Sequence, residues 1–318
     1  MMNQDRFAPR KMLVPGVIIV AFWILGIAMW QSSGYIEALL HFGYIGTAVG
    51  VGIGLYNALP RKNKPLGRKL ALFLVGGYML IFLGLLGSEN IQIEWVFFSL
   101  LSGFSGAALS HYLIAKIFGP LLFGRLWCGW ACWTVMILDL LPHNRSRGRV
   151  SGRWGHLRYT HSALSLGLVL LVWFAFDYRD RIYYGSLTGL YWLLAGNALY
   201  YLVGITLALL LKDNRAFCKY LCPITVFLKA TSRFSLLKIK GEGEKCNECG
   251  ACIRVCPMDI RIPDYVKNGQ RVLSTECTLC LTCTNTCPTG ALHASFGFDI
   301  GGKELLQERK TKVEAMTM

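Results

Sequence analysis

The sequence predicts an α-helical membrane protein that carries a small α+β domain near its C-terminus. Three observations predict it. The 318 residues are 54% hydrophobic and only 16% charged, with a mean hydropathy of +0.43, and the apolar residues gather into runs long enough to cross a bilayer. The formal charge of +15 lies in short loops between those runs, which is the positive-inside pattern of a membrane protein and not a nucleic-acid surface. All twelve cysteines fall in motifs, eight of them between positions 246 and 287, beyond the last apolar run.

Taken in order, the spans begin at residues 15–30, behind Arg6, Arg10 and Lys11. No small-residue cleavage site follows, so this run is expected to stay as an anchored helix. Residues 41–59 form the second span, with Gly43, Gly46, Gly50 and Gly54 on a face suited to close helix packing. Arg61, Lys62, Lys64, Arg68 and Lys69 then place a loop in the cytoplasm, residues 70–86 return outward, and 95–118 come back in. The outer turn at 89–94 has no Lys or Arg, and Glu37 and Glu94 are expected to be solvated.

Residues 123–142 are apolar but awkward, with Arg125, an internal Asp139 and a terminal Pro142. Arg145, Arg147, Arg149, Arg153 and Arg158 follow, and a crossing here would put that basic loop outside. The segment is therefore expected to be a re-entrant or interfacial helix on the cytoplasmic side. Residues 161–176 and 187–211 are the fifth and sixth spans. About six spans leave both termini, and the cysteine-rich domain, in the cytoplasm of a prokaryotic cell at its inner membrane. The expected division is a membrane domain at 1–235, an α+β domain at 236–300 and a short charged tail at 301–318, frayed beyond Ile300. Within the second domain, 236–240 is the first expected strand, and the Asn268-Gly269 turn inside 266–272 signals a hairpin.

The run from Cys246 reads C-N-E-C-G-A-C-I-R-V-C-P, and that from Cys277 reads C-T-L-C-L-T-C-T-N-T-C-P. This is C-x2-C-x2-C-x3-C-P twice, the spacing of a bacterial ferredoxin with two [4Fe–4S] clusters. Three closely spaced thiolates wrap one corner of a cubane, and the fourth comes from the other run. Cys246, Cys249, Cys252 and Cys287 are expected to hold cluster I, and Cys256, Cys277, Cys280 and Cys283 to hold cluster II. Zinc rarely needs four cysteines per run, and an intracellular domain disfavours disulfides.

Two further pairs, Cys128/Cys132 and Cys218/Cys222, are spaced C-x3-C, which on a helix puts two sulfurs on one face. Each follows an arginine and an aromatic residue, Arg125 and Trp127 in one case and Arg215 and Phe217 in the other, which suggests an internal repeat. The pairs are expected to meet in one four-thiolate site. Its content stays open among a third iron–sulfur centre, copper, a dithiol relay and inert packing.

With two C-x3-C pairs in a multi-span region followed by two ferredoxin runs, the chain from about Phe123 to Phe298 resembles the membrane-bound polyferredoxins of the NapH-, YccM-, NosR- and CcoG-like group. The resemblance implies electron transfer between the quinone pool or a cytoplasmic donor and a partner redox protein. In that group the first pair usually ends in proline, whereas Trp133 follows Cys132 here. The leading expectation is accordingly a membrane-anchored electron-transfer subunit of an oxidoreductase complex, with lipid, a redox protein or quinone as partners. The rival is a copper reductase or metalloenzyme assembly factor with the C-x3-C pairs as soft ligands. No phosphate-binding glycine motif is present.

Among single residues, Trp127, Trp130 and Trp133 are expected to be interfacial anchors. His111 reads as a hydrogen-bonded membrane histidine and His161 as interfacial. Asp139, an acid inside an apolar run, is expected to cap a helix or to pair with a nearby arginine, with a proton path as the other reading.

Overall fold

The computed structural model describes residues 10–103, 107–182 and 186–309; Arg6 and the tail from residue 310 lie outside them. Among the described residues, five helices are long and apolar enough to cross a bilayer: Met12–Ser33, Ile36–Ala58, Lys64–Leu86, Arg153–Ala175 and Leu187–Leu211. Helices α1 (Arg10–Ser33) and α2 (Ile36–Ala58) form a hairpin through Gly34 and Tyr35. The small-residue face of α2 lets α1 close in, because a Cβ on Gly46 would fall 2.2 Å from the Phe22 Cβ. Helix α3 (Lys64–Gly77) runs on through wider π-helical turns at Tyr78–Leu86.

The run expected as the fourth span is interrupted. Helix α4 (Ile93–Ser102) stops at Gly103, whose φ of +69° ends the helical hydrogen bonding. The chain resumes as α5 (Ala107–Tyr112) and continues through Leu113–Phe118 and Gly119–Phe123. The turn before α4 is not solvated as expected. Asn90, Gln92 and Glu94 are all buried, and the Asn90 side-chain amide donates to the Gly189 carbonyl at 3.1 Å. Non-helical backbone at this depth is tolerated where neighbouring helices satisfy it. Glu37, by contrast, is exposed.

Residues 123–142 do not cross. They fold into α6 (Leu126–Trp130) and α7 (Trp133–Leu138), each far too short to span. Helices α8 (Leu157–Ala175) and α9 (Leu187–Leu211) follow, turning Leu164, Leu171, Phe174, Leu202 and Leu210 outward as a lipid-facing surface does. The short α10 (Ala216–Tyr220) and α11 (Thr225–Ser232) close the membrane part.

The C-terminal unit is built on one antiparallel pair, β1 (Leu237–Gly241) with β2 (Leu292–Phe296), Leu237 lying opposite Phe296. Around it lie α12 (Ala251–Arg254), α13 (Ile262–Lys267) and α14 (Thr282–Thr286). Ile239, Ile260, Tyr265, Val266, Leu279 and Leu292 form its core together with buried cysteines. The expected hairpin at 266–272 does not form. Pro263 starts a helix there, and Asn268-Gly269 caps it: the Gly269 amide donates to Val266 and the Gln270 amide to Tyr265, the Schellman pattern.

The first part of the tail is held, not frayed. Leu306 pairs with Ile260 and Glu308 with Arg149, and the Arg309 guanidinium donates to the carbonyls of Gly148 and Leu211. Residues 301–309 thus strap the cysteine-rich unit to the membrane helices.

The α1–α2 contact makes a test. Gly46→Ala should lower the detergent-solubilised melting temperature through overpacking of about 1–3 kcal/mol. Gly54→Ala, whose new Cβ would meet nothing closer than 3.7 Å, should leave it unchanged.

Candidate metal centres

In the cysteine-rich unit the two runs fold alike. Cys249 is flanked by Glu248 at φ +55° and Gly250 at φ +68°, and Cys280 by Leu279 at +47° and Leu281 at +58°. Left-handed residues on both sides of a middle cysteine coil the loop around a centre and turn its amides inward. Asp259 and Gly290, each three residues past a fourth cysteine, are left-handed as well. The result is two hollows. Cys246, Cys249, Cys252 and Cys287 line one of about 350 Å³, and Cys256, Cys277, Cys280 and Cys283 line another of about 370 Å³.

A third hollow, of about 550 Å³, lies at the base of the membrane helices and is lined by Cys128, Cys132, Cys218 and Cys222. The structure therefore brings the two C-x3-C pairs together. They do not sit on single helix faces as expected, because each short helix ends between its cysteines. The amides of Ala131 and Cys132 both donate to the Trp127 carbonyl, and those of Leu221 and Cys222 both donate to Phe217. This shared bonding pattern makes the two motifs a structural repeat. All four are free cysteines. Burial pushes the Cys222 thiol up to about 12 and raises Cys132 and Cys218, the last against the pull of Arg215. A positive centre would be needed to hold them as thiolates.

The residues between the paired cysteines dock the ferredoxin-like unit. The Trp130 indole donates to the Leu279 carbonyl at 2.9 Å, and a Cβ on Gly129 would lie 2.4 Å from the Thr278 oxygen and 3.6 Å from the Cys280 Cα. Only glycine permits that approach. In the second motif, the Lys219 ammonium bonds Asp213 at 2.6 Å and Asp259 at 2.5 Å. The loop of Cys277–Cys283 thus rests against the membrane hollow, whereas Cys249 is exposed.

Buried charge fills the seam. Glu276, 1% exposed, meets Arg125 at 2.8 Å, Arg149 at 3.0 Å, Arg158 at 2.9 Å and Lys229 at 2.6 Å. Burial alone would raise its carboxyl, but the surrounding cations hold it well below the usual glutamate range. Asp139 meets Arg68 at 3.0 Å and Arg215 at 2.9 Å, which hold it below its usual range against burial. Of its expected roles the structure shows the pairing with arginine. Lys116, 3% exposed, lines the membrane hollow with its ammonium 4.2 Å from the Trp127 ring centre. Bases outnumber acids in this seam, and the Nε and Nη2 of Arg125, also lining the hollow, have no partner. Anionic occupants would balance that surplus. Clusters with four thiolates are anionic, so the donors and their surroundings fit iron–sulfur clusters.

Two of the three tryptophans are not interfacial anchors. Trp130 and Trp133 are 3% and 5% exposed, and the Trp133 indole donates to Asn197 at 2.9 Å. His111 packs edge-on to Trp127 at 4.9 Å, with its Nε2 buried and without a partner. His161 Nδ1 bonds the Leu221 carbonyl at 2.7 Å beside Cys222. The residue that sequence reasoning missed is Glu276. Its only signal was an acid immediately before a cluster cysteine, opposite a chain rich in arginine.

Glu276→Gln should strand four cations and cost about 3–5 kcal/mol of docking stability, read as easier proteolysis of the seam and a lower melting temperature. Because the native carboxyl titrates below the unfolded value of about 4.3, its contribution is complete above that pH. It is lost only as pH falls through the lower, folded value.

A family profile described as a 4Fe-4S dicluster domain matches residues 238–292. Another, described as a 4Fe-4S binding domain, matches 112–149 and 195–241, one cysteine pair in each stretch. An uncharacterised protein of Methanocaldococcus jannaschii is 27% identical over 54% of this chain, which spans 65% of that relative's length. The methylamine utilization ferredoxin-type protein MauN of Methylobacillus flagellatus is 31% identical, over 62% of this chain and 72% of its own. The ferredoxin-type protein NapH of Haemophilus influenzae is 28% identical, over 60% and 69%. No solved structure matches the chain. With its apolar helices and its two ferredoxin runs, the chain belongs to the ferredoxin-type membrane proteins of iron–sulfur electron transfer, the group that includes MauN, NapH and YccM.

Proposed function

We propose that the chain relays electrons between a soluble redox partner and a quinone or membrane partner through three thiolate-held centres. Cys246, Cys249, Cys252 and Cys287 hold the outermost, and Cys256, Cys277, Cys280 and Cys283 hold the middle one. Cys128, Cys132, Cys218 and Cys222 hold the innermost. Iron–sulfur clusters at these places supply one-electron chemistry, and the polypeptide supplies thiolates, burial and countercharge. Exposed Cys249 marks the edge at which a soluble partner is met. Gly129 and Trp130 keep the middle and inner cages against each other. Arg125 faces the inner hollow and grips Glu276 beside Cys277, so one guanidinium offsets charge at both.

On this reading residues 1–235 are the membrane domain and 236–300 the ferredoxin domain. The latter, both termini and the basic loops face the cytoplasm at the inner membrane. A single observation carries the third centre: both cysteine pairs line one hollow, shared with the buried cations Lys116 and Arg125. That lining argues against a neutral disulfide relay, which would add no counter-charge for Lys116, a buried base with no acid paired to it among the described residues.

Anaerobic purification with iron, sulfide and copper analysis tests this. About twelve irons per chain are expected, falling to about eight when all four of Cys128, Cys132, Cys218 and Cys222 become serine. About eight irons in the unaltered protein, or copper bound in step with the chain, would remove the inner iron–sulfur centre.

A further inference from the structure

Glu94 was read from sequence as a solvated loop acid, and the structure buries it to 9% exposure inside the helix bundle. Its Oε1 accepts from Ser165 Oγ at 2.8 Å and from Tyr200 Oη at 3.5 Å. Among the described residues it forms no ion pair, whereas Asp139 and Glu276 each face several bases. A carboxylate held in apolar surroundings without a base is costly and marks a functional position. The first turn of α4, where Glu94 sits, offsets part of that cost.

Two hydroxyls connect this acid to the inner cysteines. Tyr200 lines the same hollow as the four thiols, and its ring packs on Phe217 at 5.3 Å, the residue before Cys218. Tyr112 is 5% exposed with its hydroxyl unpartnered, and it lies within electrostatic reach of Glu94, Cys132 and Cys222. Among the described residues, the titratable groups facing Glu94 are thus Tyr112 on α5 and Tyr200 on α9; α8 contributes Ser165, with the His161 ring edge-on to Tyr200 at 5.7 Å. None of these groups is ion-paired with the acid.

We infer that Glu94 is a proton-accepting site coupled to the centre held by the four membrane cysteines. The inference rests on the three-centre reading and adds to it. One electron enters the cysteine cage from the ferredoxin side, and one proton passes from water to a Glu94 carboxylate oxygen. On reoxidation both leave, so charge in the bundle is conserved over the cycle. The driving force is electrostatic. The added negative charge lies across Tyr200 and Tyr112 from this carboxylate, and a proton arriving on the carboxylate offsets it. Arg125 cannot take this role, because it is already positive; Lys116 is buried at the same hollow and can also exchange a proton, so Lys116→Met must keep the pH dependence described below.

EPR-monitored redox titrations of the full-length, cluster-loaded protein at a series of pH values test the inference. The potential of the inner centre should fall as pH rises in the unaltered protein and become independent of pH in Glu94→Gln. Glu94→Asp, which keeps a carboxyl, should retain the dependence. Infrared difference spectra of the unaltered protein provide a readout that needs no variant: reduction should add a protonated-carboxyl band. An inner centre that is present but keeps its pH dependence in Glu94→Gln, or that gains no such band on reduction, overturns the proton site alone. If iron counting finds no inner centre, the three-centre reading falls, and this inference falls with it.

Discussion

One buried carboxylate organises the junction of the two halves. Glu276 lies beside Cys277 and draws Arg125, Arg149, Arg158 and Lys229 out of four separate segments of the membrane part. Desolvating five charges at once is expensive, and the attraction among them repays it only where the geometry is close and hydrogen-bonded. Here the contacts run from 2.6 to 3.0 Å. The same arrangement fixes which ferredoxin run faces the membrane. Cys277–Cys283 is held against Gly129 and Trp130, and the run beginning at Cys246 is left facing solvent.

The membrane cage depends on a repeat that is local in sequence and joined only in space. Each half contributes an arginine, an aromatic residue whose carbonyl accepts two amides, and two cysteines on either side of a helix end. The arginines are tied differently, Arg125 to Glu276 and Arg215 to Asp139. Arg215 also donates to the Cys128 carbonyl at 3.1 Å and so pins one repeat to the other. The excess of positive charge around the cage has a direct physical reading. In a medium that screens poorly, buried bases without acids are stable only beside something negative. The proposed three-centre relay places anionic clusters at that position, and Glu94 lies across two tyrosines from it.

Much of this protein was legible in its sequence because the relevant physics is local. Runs of apolar residues report bilayer crossing whatever they pack against. Cysteines two or three residues apart can reach one centre, so their spacing carries information without the fold. The glycine face of α2 is likewise a property of a short stretch. Local signals failed where another part of the chain decided the outcome. Asn268-Gly269 suits a hairpin and a helix cap equally, and Pro263 settled it. Trp130 and Trp133 looked like lipid anchors until the partners of their indoles, Leu279 and Asn197, came from distant segments.

By itself the sequence determined that the chain enters a membrane, that eight cysteines form two ferredoxin runs and that four more form two pairs. Only the tertiary structure decided that the pairs share one hollow, that Asp139 is a clamp and that Glu94 is buried, with no base paired to it among the described residues. Bond spacing and hydrophobicity are written along the chain, but the pairing of buried charges is a long-range choice. Glu276 and Arg125 are 151 residues apart, and no local rule connects them.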